Sequence, residues 1–380
     1  MKYLTLFSSL LAVAAAVPLA EVAEVQSIQD VQGVQVVQDA QVGQEGQAKD
    51  PSDTGAQGVK ILKKFAQEPA KAGLTRVTKK IGTWTLTSAK MVSTFKMVAD
   101  SPCGVGGCYV TAMEATIRYP DGKEANVDTQ AWLHHIAMFG SGTGGGSIWA
   151  CGNERPTLRL NAQDKYGIDW PLTYMMMVDL MTEVTTPKTL TLEVTYEIAP
   201  KLASGYKAAT MYWLSLGPDR AAKDGKYSFD TQALRVTSGK LLYSIGHMHD
   251  GGTDMQLFVE SSMVGRSGKM VCKSVMHYGE PAAAGAKGME GMDMDEKKTA
   301  GASGHAAGGH GHSRRDGHGG HGDPSDHIQA PGACTDFGTV SAGQYIRATA
   351  QYDATIHKLM VHNGQREKLM GNMRVYVGPS

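Results

Sequence analysis

The sequence lacks net charge: 37 Lys and Arg balance 37 Asp and Glu, and the isoelectric point is near 7.2. A nucleic-acid binder gathers its basic side chains into a field that a polyanion can meet, and no single-sign patch stands out here, which argues against such a partner. It also lacks any Asn-x-Ser/Thr triplet, so no N-linked glycan is expected. Beyond the first twenty residues no apolar run approaches the roughly 20 residues a bilayer span needs. The last residues, Val375 to Ser380, carry no hydrophobic tail of the lipid-anchor kind. No long amphipathic helical pattern is visible either.

What the chain has in excess is 13 His and 21 Met, side chains whose nitrogen and thioether donors suit copper better than calcium or magnesium. Lys2, the apolar run Leu4 to Val17 and the small residues before Glu21 form the pattern of a cleaved secretory signal over 1–20, so the protein is expected to be secreted and extracellular. In an oxidising route the five cysteines imply two disulfides and one remaining thiol. Cys272 with Cys334 is the favoured first bridge, because both flank one insertion. Cys151 with either Cys103 or Cys108 is the favoured second, and the free thiol is left open.

From Glu21 onward Val-Gln units recur without an aromatic residue, so residues 21–75 read as a low-complexity spacer or propeptide that cannot bury enough apolar area to offset ordering. Beyond it, apolar residues alternate with period two in Thr83–Thr87, Tyr109–Tyr119, Thr129–Phe139, Tyr174–Met181 and Thr189–Glu197. The same pattern returns in Ala208–Leu216, Lys240–His247, Met255–Glu260, Lys269–Met276, Tyr345–Tyr352 and Met373–Val377. Strand after strand with Gly and Pro punctuation predicts an all-β chain of two antiparallel, jelly-roll-like β-sandwiches, over 76–200 and 201–380. A Gly-, Ala- and His-rich stretch, 281–331, reads as a disordered insertion in the second.

Three segments could carry metal chemistry. His134 and His135 are adjacent, and neighbours on a regular strand point to opposite faces, so two ligands for one ion need a kink or a strand end there. In His247-Met248-His249 the imidazoles are two apart and share a face, and Asp250-Gly251-Gly252 lets backbone pass close by. Met370, before Gly371 and Asn372, could add a thioether and complete a His-His-Met set that tolerates both copper oxidation states. Each has a plain structural reading too: buried or surface histidines, and a methionine filling the core.

In this order the segments resemble the copper type II, ascorbate-dependent monooxygenases, of the peptidylglycine alpha-hydroxylating and dopamine beta-monooxygenase type, over roughly Gly82 to Gly378. The matching residues are His134-His135, Phe139-Gly140 and Trp149-Ala150-Cys151, then His247, His249 and Met370. The second half is similar to the plant stress-up-regulated nodulin family, through His247 to Thr253, Val271 to Ser274, Tyr278-Gly279-Glu280 and Met370-Gly371. The resemblance implies O2- and reductant-dependent hydroxylation at a copper held by His247, His249 and Met370. It also implies a second copper at His134 and His135, across a solvent cleft, with ascorbate or another external reductant recharging one or two ions.

The family's third histidine for that second copper is missing from Tyr174–Met181, where Asp179 or Met181 takes its place. Asn372 matches a substrate-contacting position, and Arg374 stands where the family has a tyrosine and could meet an anion or lie on the surface. Met289, Met292, Met294, His305, His310, His312, His318, His321 and His327 fall in the insertion, where they could gather copper loosely. His277, His357 and His362 are expected at most to hydrogen-bond around a site. The competing readings are a non-catalytic copper-binding or copper-buffering protein on the same scaffold, and a metal-free extracellular sandwich.

Overall fold

Period-two alternation becomes strand wherever it was read, and the computed structural model is all-β, with two antiparallel sandwiches in tandem. It describes residues 61–140, 146–160, 165–201, 205–217, 220–279, 327–362 and 365–380, all within the unit Asp50–Ser380. The expected signal at 1–20, the Val-Gln tract up to residue 60 and residues 281–326 of the expected insertion lie outside the described residues. Two 3-10 turns are described in full, Phe65–Gln67 and Val127–Thr129.

The first sandwich has two sheets. Sheet I runs β1 (Thr75–Leu86), β9 (Lys188–Pro200), β3 (Cys108–Arg118), β7 (Tyr166–Asp169) and β10 (Lys207–Ala208), with β6 (Leu158–Arg159) beside β3; only the β10–β7 pair is parallel. Sheet II runs β2 (Met91–Val98), β8 (Tyr174–Thr182), β4 (Ala131–Gly140) and β5 (Ser147–Gly152). Leu192 and Val194 from β9 meet Leu133, Ile136 and Met138 from β4 and Val178 and Leu180 from β8 in one buried cluster.

The second sandwich is built the same way. Sheet III runs β11 (Thr210–Ser215), β23 (Gly371–Gly378), β14 (Gly239–Met248) and β18 (Ala333–Thr335), with β19 (Thr339–Val340) on β14. Sheet IV runs β12 (Lys226–Asp230), β20 (Tyr345–Asp353), β15 (Gly252–Glu260), β16 (Lys269–Tyr278) and β17 (Ile328–Pro331), with β13 (Leu234–Arg235) on β20. A small hairpin, β21 (Val361–His362) and β22 (Gln365–Arg366), precedes β23.

Sheet III is apolar on both faces, and that decides how the halves meet. From β14 and β23, Met248, Met373, Val375 and Val377 pack with sheet IV, whereas Tyr243, Ile245 and Tyr376 join the core of the first sandwich. The solvent cleft expected between the halves is therefore replaced, along this face, by packing. β5 is the outer strand of sheet II, and its edge carbonyls are taken from sheet III: Tyr376 Oη donates to Ile148 O at 3.0 Å and Arg374 Nη1 donates to Ala150 O. Covering an exposed strand edge this way leaves no ladder open to a stray partner.

Two other expectations change. Cys272–Cys334 forms as expected, linking β16 to β18, but the second bridge is Cys103–Cys108. Positive-φ glycines Gly104 (62°) and Gly107 (67°) fold the connecting loop, while Cys151 points into the first core at 3% exposure and stays free. Within the stretch expected to be spacer, Phe65 is buried. Its N–H donates to a Glu114 carboxylate oxygen at 2.9 Å, and the guanidiniums of Arg76 and Arg159 stand 4.4 and 4.8 Å from its ring centre.

Candidate metal centre

The adjacent histidines meet the geometric demand set by their sequence. In the β4–β8 ladder Leu133 pairs with Leu180 and His135 with Asp179, so the register slips and His134 is the extra residue of a β-bulge. A bulge bends the strand and re-aims side chains. Leu133, Ile136 and Met138 keep the inner face, and His134 and His135 both reach the outer side, toward sheet III.

On β14 plain alternation suffices. Tyr243, Ile245, His247 and, just past the strand, His249 are two apart and share the face that packs on the first sandwich. The alternate positions, Gly246 and Met248, face sheet IV; a Cβ on Gly246 would come within about 3.0 Å of Met255.

The two pairs consequently form one site. His135 Nε2 and His247 Nε2 are 3.1 Å apart, and His134 Nδ1 and His135 Nδ1 are 2.9 Å apart. One ring nitrogen each from His134, His135 and His249 lies within 4.8 Å of the others. All four imidazoles line a cavity of about 40 Å³, together with Trp132, Glu154, Met248, His327 and Met360. That volume holds an ion and a few waters, so any organic molecule must approach from the mouth.

Two of the rings, His247 and His249, are held through Nδ1 by an oxygen that can only accept. His247 Nδ1–H donates to Glu154 Oε1 at 2.9 Å, and His249 Nδ1–H donates to the Lys368 carbonyl at 2.8 Å. His135 Nδ1 stands 3.6 Å from Asp179 Oδ2. In the neutral ring this leaves Nε2 as the lone-pair nitrogen. His249 Nε2 is buried and has no hydrogen-bond partner. Burial, with the neighbouring His247 and His135, pushes the His249 imidazole down to about 3, so it is neutral at physiological pH. Burial likewise lowers His135, against the opposing hydrogen bond of Asp179. Burial alone would raise Glu154, but His247 and then Arg374 outweigh it and hold the carboxyl well below the usual carboxylate range.

These residues fit a metal ion. Imidazole is a borderline donor suited to copper, zinc, iron or nickel. Two nitrogens each about 2.0–2.1 Å from one ion are at most about 4.2 Å apart, a limit His135 and His247 already meet and the 4.8 Å trio reaches with a small inward shift. The oxygen behind Nδ1 of His247 and of His249 is the outer support that ligating histidines ordinarily have.

The other expected site residues divide. Asp179, 6% exposed, backs His135. Met370 touches the site through its backbone: its carbonyl accepts from His249 N at 3.2 Å and from Tyr352 Oη at 2.7 Å. Asn372 pairs with His247 across the β14–β23 ladder and alternates in step with Arg374 and Tyr376. Arg374 is neither a surface charge nor open to an anion, for it is 3% exposed and packed beneath β5. His277 is exposed on β16, and His357 stacks on Tyr278 at 3.6 Å.

Sequence reasoning missed Gly152, Glu154, Met360 and the placement of His327. A Cβ on Gly152 would lie 2.7 Å from both His247 Cε1 and Glu154 Oε2, so only glycine lets β5 approach the imidazole. The segment Trp149-Ala150-Cys151-Gly152-Asn153-Glu154 held the signal, a glycine two residues before an acid, but nothing local links it to a histidine 93 residues on.

Comparison with known proteins points the same way. Residues 153–295, which include Glu154, His247 and His249, match the family described as Stress up-regulated Nod 19. The chain is 22% identical over 302 residues to the "Probable copper-dependent oxygenase M1" of a Phoma species, covering 74% of this chain and 66%, just under two thirds, of that protein. It is 24% identical over 285 residues to the "Probable copper-dependent oxygenase clz3" of Cochliobolus lunatus, covering 70% of this chain and 78% of that protein.

Proposed function

We propose that the four imidazoles bind a single copper ion and that the chain is a secreted copper-dependent monooxygenase of the copper type II kind, using O2 and ascorbate or another external reductant. The observation that carries this reading is the buried, unpartnered Nε2 of His249 among three further imidazoles. The names of the two fungal relatives support copper over the other imidazole-binding metals. The two disulfides suit secretion, and among the described residues no helix is long and apolar enough to cross a membrane.

Copper held there would supply one-electron redox chemistry and O2 activation. The chain's part is to keep protons on Nδ1 of His247 and His249, with Glu154 and the Lys368 carbonyl, and to leave Nε2 toward the ion. Asp179 stands behind His135, and the Met370 carbonyl holds the backbone of His249, while the methionines that line the cavity are Met248 and Met360. Trp132, Met248 and Ile328 keep the cavity small. A non-catalytic copper-binding role on the same scaffold is the second reading, favoured by a cavity too small for an organic substrate. Copper-loaded protein given ascorbate separates the two. Oxygen consumption that His249→Ala abolishes supports the enzyme; retained copper with no oxygen uptake supports storage.

A further inference from the structure

His327 lies in the stretch expected to be part of a low-complexity insertion, yet it lines the histidine cavity one residue before β17. Its placement is built rather than accidental. Its Nδ1 is 2.7 Å from Asp250 Oδ2, and the other oxygen of Asp250 accepts from Ile328 N at 2.9 Å, so one carboxylate fixes both the ring and the backbone beside it. Asp250 directly follows His249, and the turn that carries both is held by Tyr278, whose hydroxyl accepts from Gly251 N at 2.9 Å and donates to Gly252 O at 2.8 Å. A carboxylate on Nδ1 is the same support that Glu154 gives His247.

His327 differs from the inner rings in exposure. Its side chain is 20% exposed, against 16% for His135, 12% for His247 and 11% for His249, so it is the most solvent-accessible of these four rings. Two further carboxylates lie near these rings. Glu367 Oε2 is 3.6 Å from His249 Nδ1, and Glu183 feels both His327 and Glu367. An imidazole on the cavity wall, backed by the Asp250 carboxylate, offers a cation a donor beside the inner rings.

We propose that His327, oriented by Asp250, is a fifth metal-binding imidazole, the mouth ligand that takes the incoming copper ion and passes it to the four inner histidines. This rests on the copper reading above. The ion changes ligands without changing oxidation state, so no reductant is needed for the transfer.

The test uses the full chain stripped of metal and mixed rapidly with copper(II), read by quenching of the fluorescence of Trp132, which lines the cavity. His327→Gln should slow the quench on the order of tenfold and leave its final amplitude unchanged. Asp250→Asn should slow it less, and thermal melts of the metal-free proteins check that both fold. Equal rates in the wild type and His327→Gln overturn the proposal, and so does loss of the final amplitude in that variant. Wild-type protein that retains no copper overturns the copper reading itself, a result seen independently of the variants.

Discussion

His135 and His247 are 112 residues apart in sequence and their Nε2 atoms are 3.1 Å apart in space. One comes from the outer face of sheet II and the other from the face of sheet III turned away from sheet IV, so the contact exists only because the two sandwiches pack on each other. The histidine cluster, and with it the proposed metal centre, is thus a property of the interface between the halves.

Gly152 sets how closely that interface closes. Gly152→Ala places a methyl 2.7 Å from His247 Cε1. It should weaken copper binding about tenfold or more while costing about 1–3 kcal/mol of stability. Copper titration and a denaturant melt on the same sample check both.

Arg374 is a buried cation whose charge helps hold the Glu154 carboxyl ionised, and its guanidinium also donates to the Ala150 carbonyl. Arg374→Met should destabilise the fold by about 3–5 kcal/mol, the usual effect of leaving one member of a buried charge pair alone. Glu154→Gln keeps an acceptor for His247 and should relax part of that loss in the double variant. A double-mutant cycle in urea measures the coupling; additive losses would contradict it.

Burial, reinforced by Glu154, pushes the Cys151 thiol up to about 12 from 9.0. Between those values the unfolded chain loses a proton that the folded chain keeps, so stability is intact below pH 9 and falls as pH rises toward 12. Cys151→Ala should flatten the alkaline slope by up to about 1.4 kcal/mol per pH unit. The same burial predicts no reaction of Cys151 with thiol reagents at pH 8 until the protein is denatured.

The two bridges should differ in weight. Cys272–Cys334 spans 62 residues and Cys103–Cys108 spans 5. On the chain-entropy account they contribute about 4 and about 2 kcal/mol. Paired Cys→Ala variants compared by urea melting test the order, and non-reducing peptide maps test the pairing.

The strands were legible where one face is buried, because alternation then marks the inner residues: Val178 and Leu180 on β8, or Leu257 on β15, announce their sheets. β1 begins at Thr75, well before the visible pattern, because its first half is polar on the outward face, where Thr78 pairs with Thr195. β2 escaped notice for a similar reason, with Met91, Phe95 and Met97 exposed rather than packed inward. His247 and His249 were legible as a pair because spacing two has one structural meaning. Their convergence with His134 and His135 was not, since it depends on which sheet faces which. His327 was hidden by its composition: a histidine among Gly and His looks like filler until Asp250 is seen behind it. Arg374 was misread because a lone arginine on a strand gives no local sign of the carbonyl it caps.

The central claim is that both halves supply one metal centre, and metal content measures it most directly. Wild-type protein, His135→Ala and His249→Ala are loaded with copper, freed of excess by gel filtration and analysed by mass spectrometry. The account predicts about one ion per chain in the wild type and its loss in either variant. Two ions in the wild type, with one retained in each variant, would show two independent sites and contradict it.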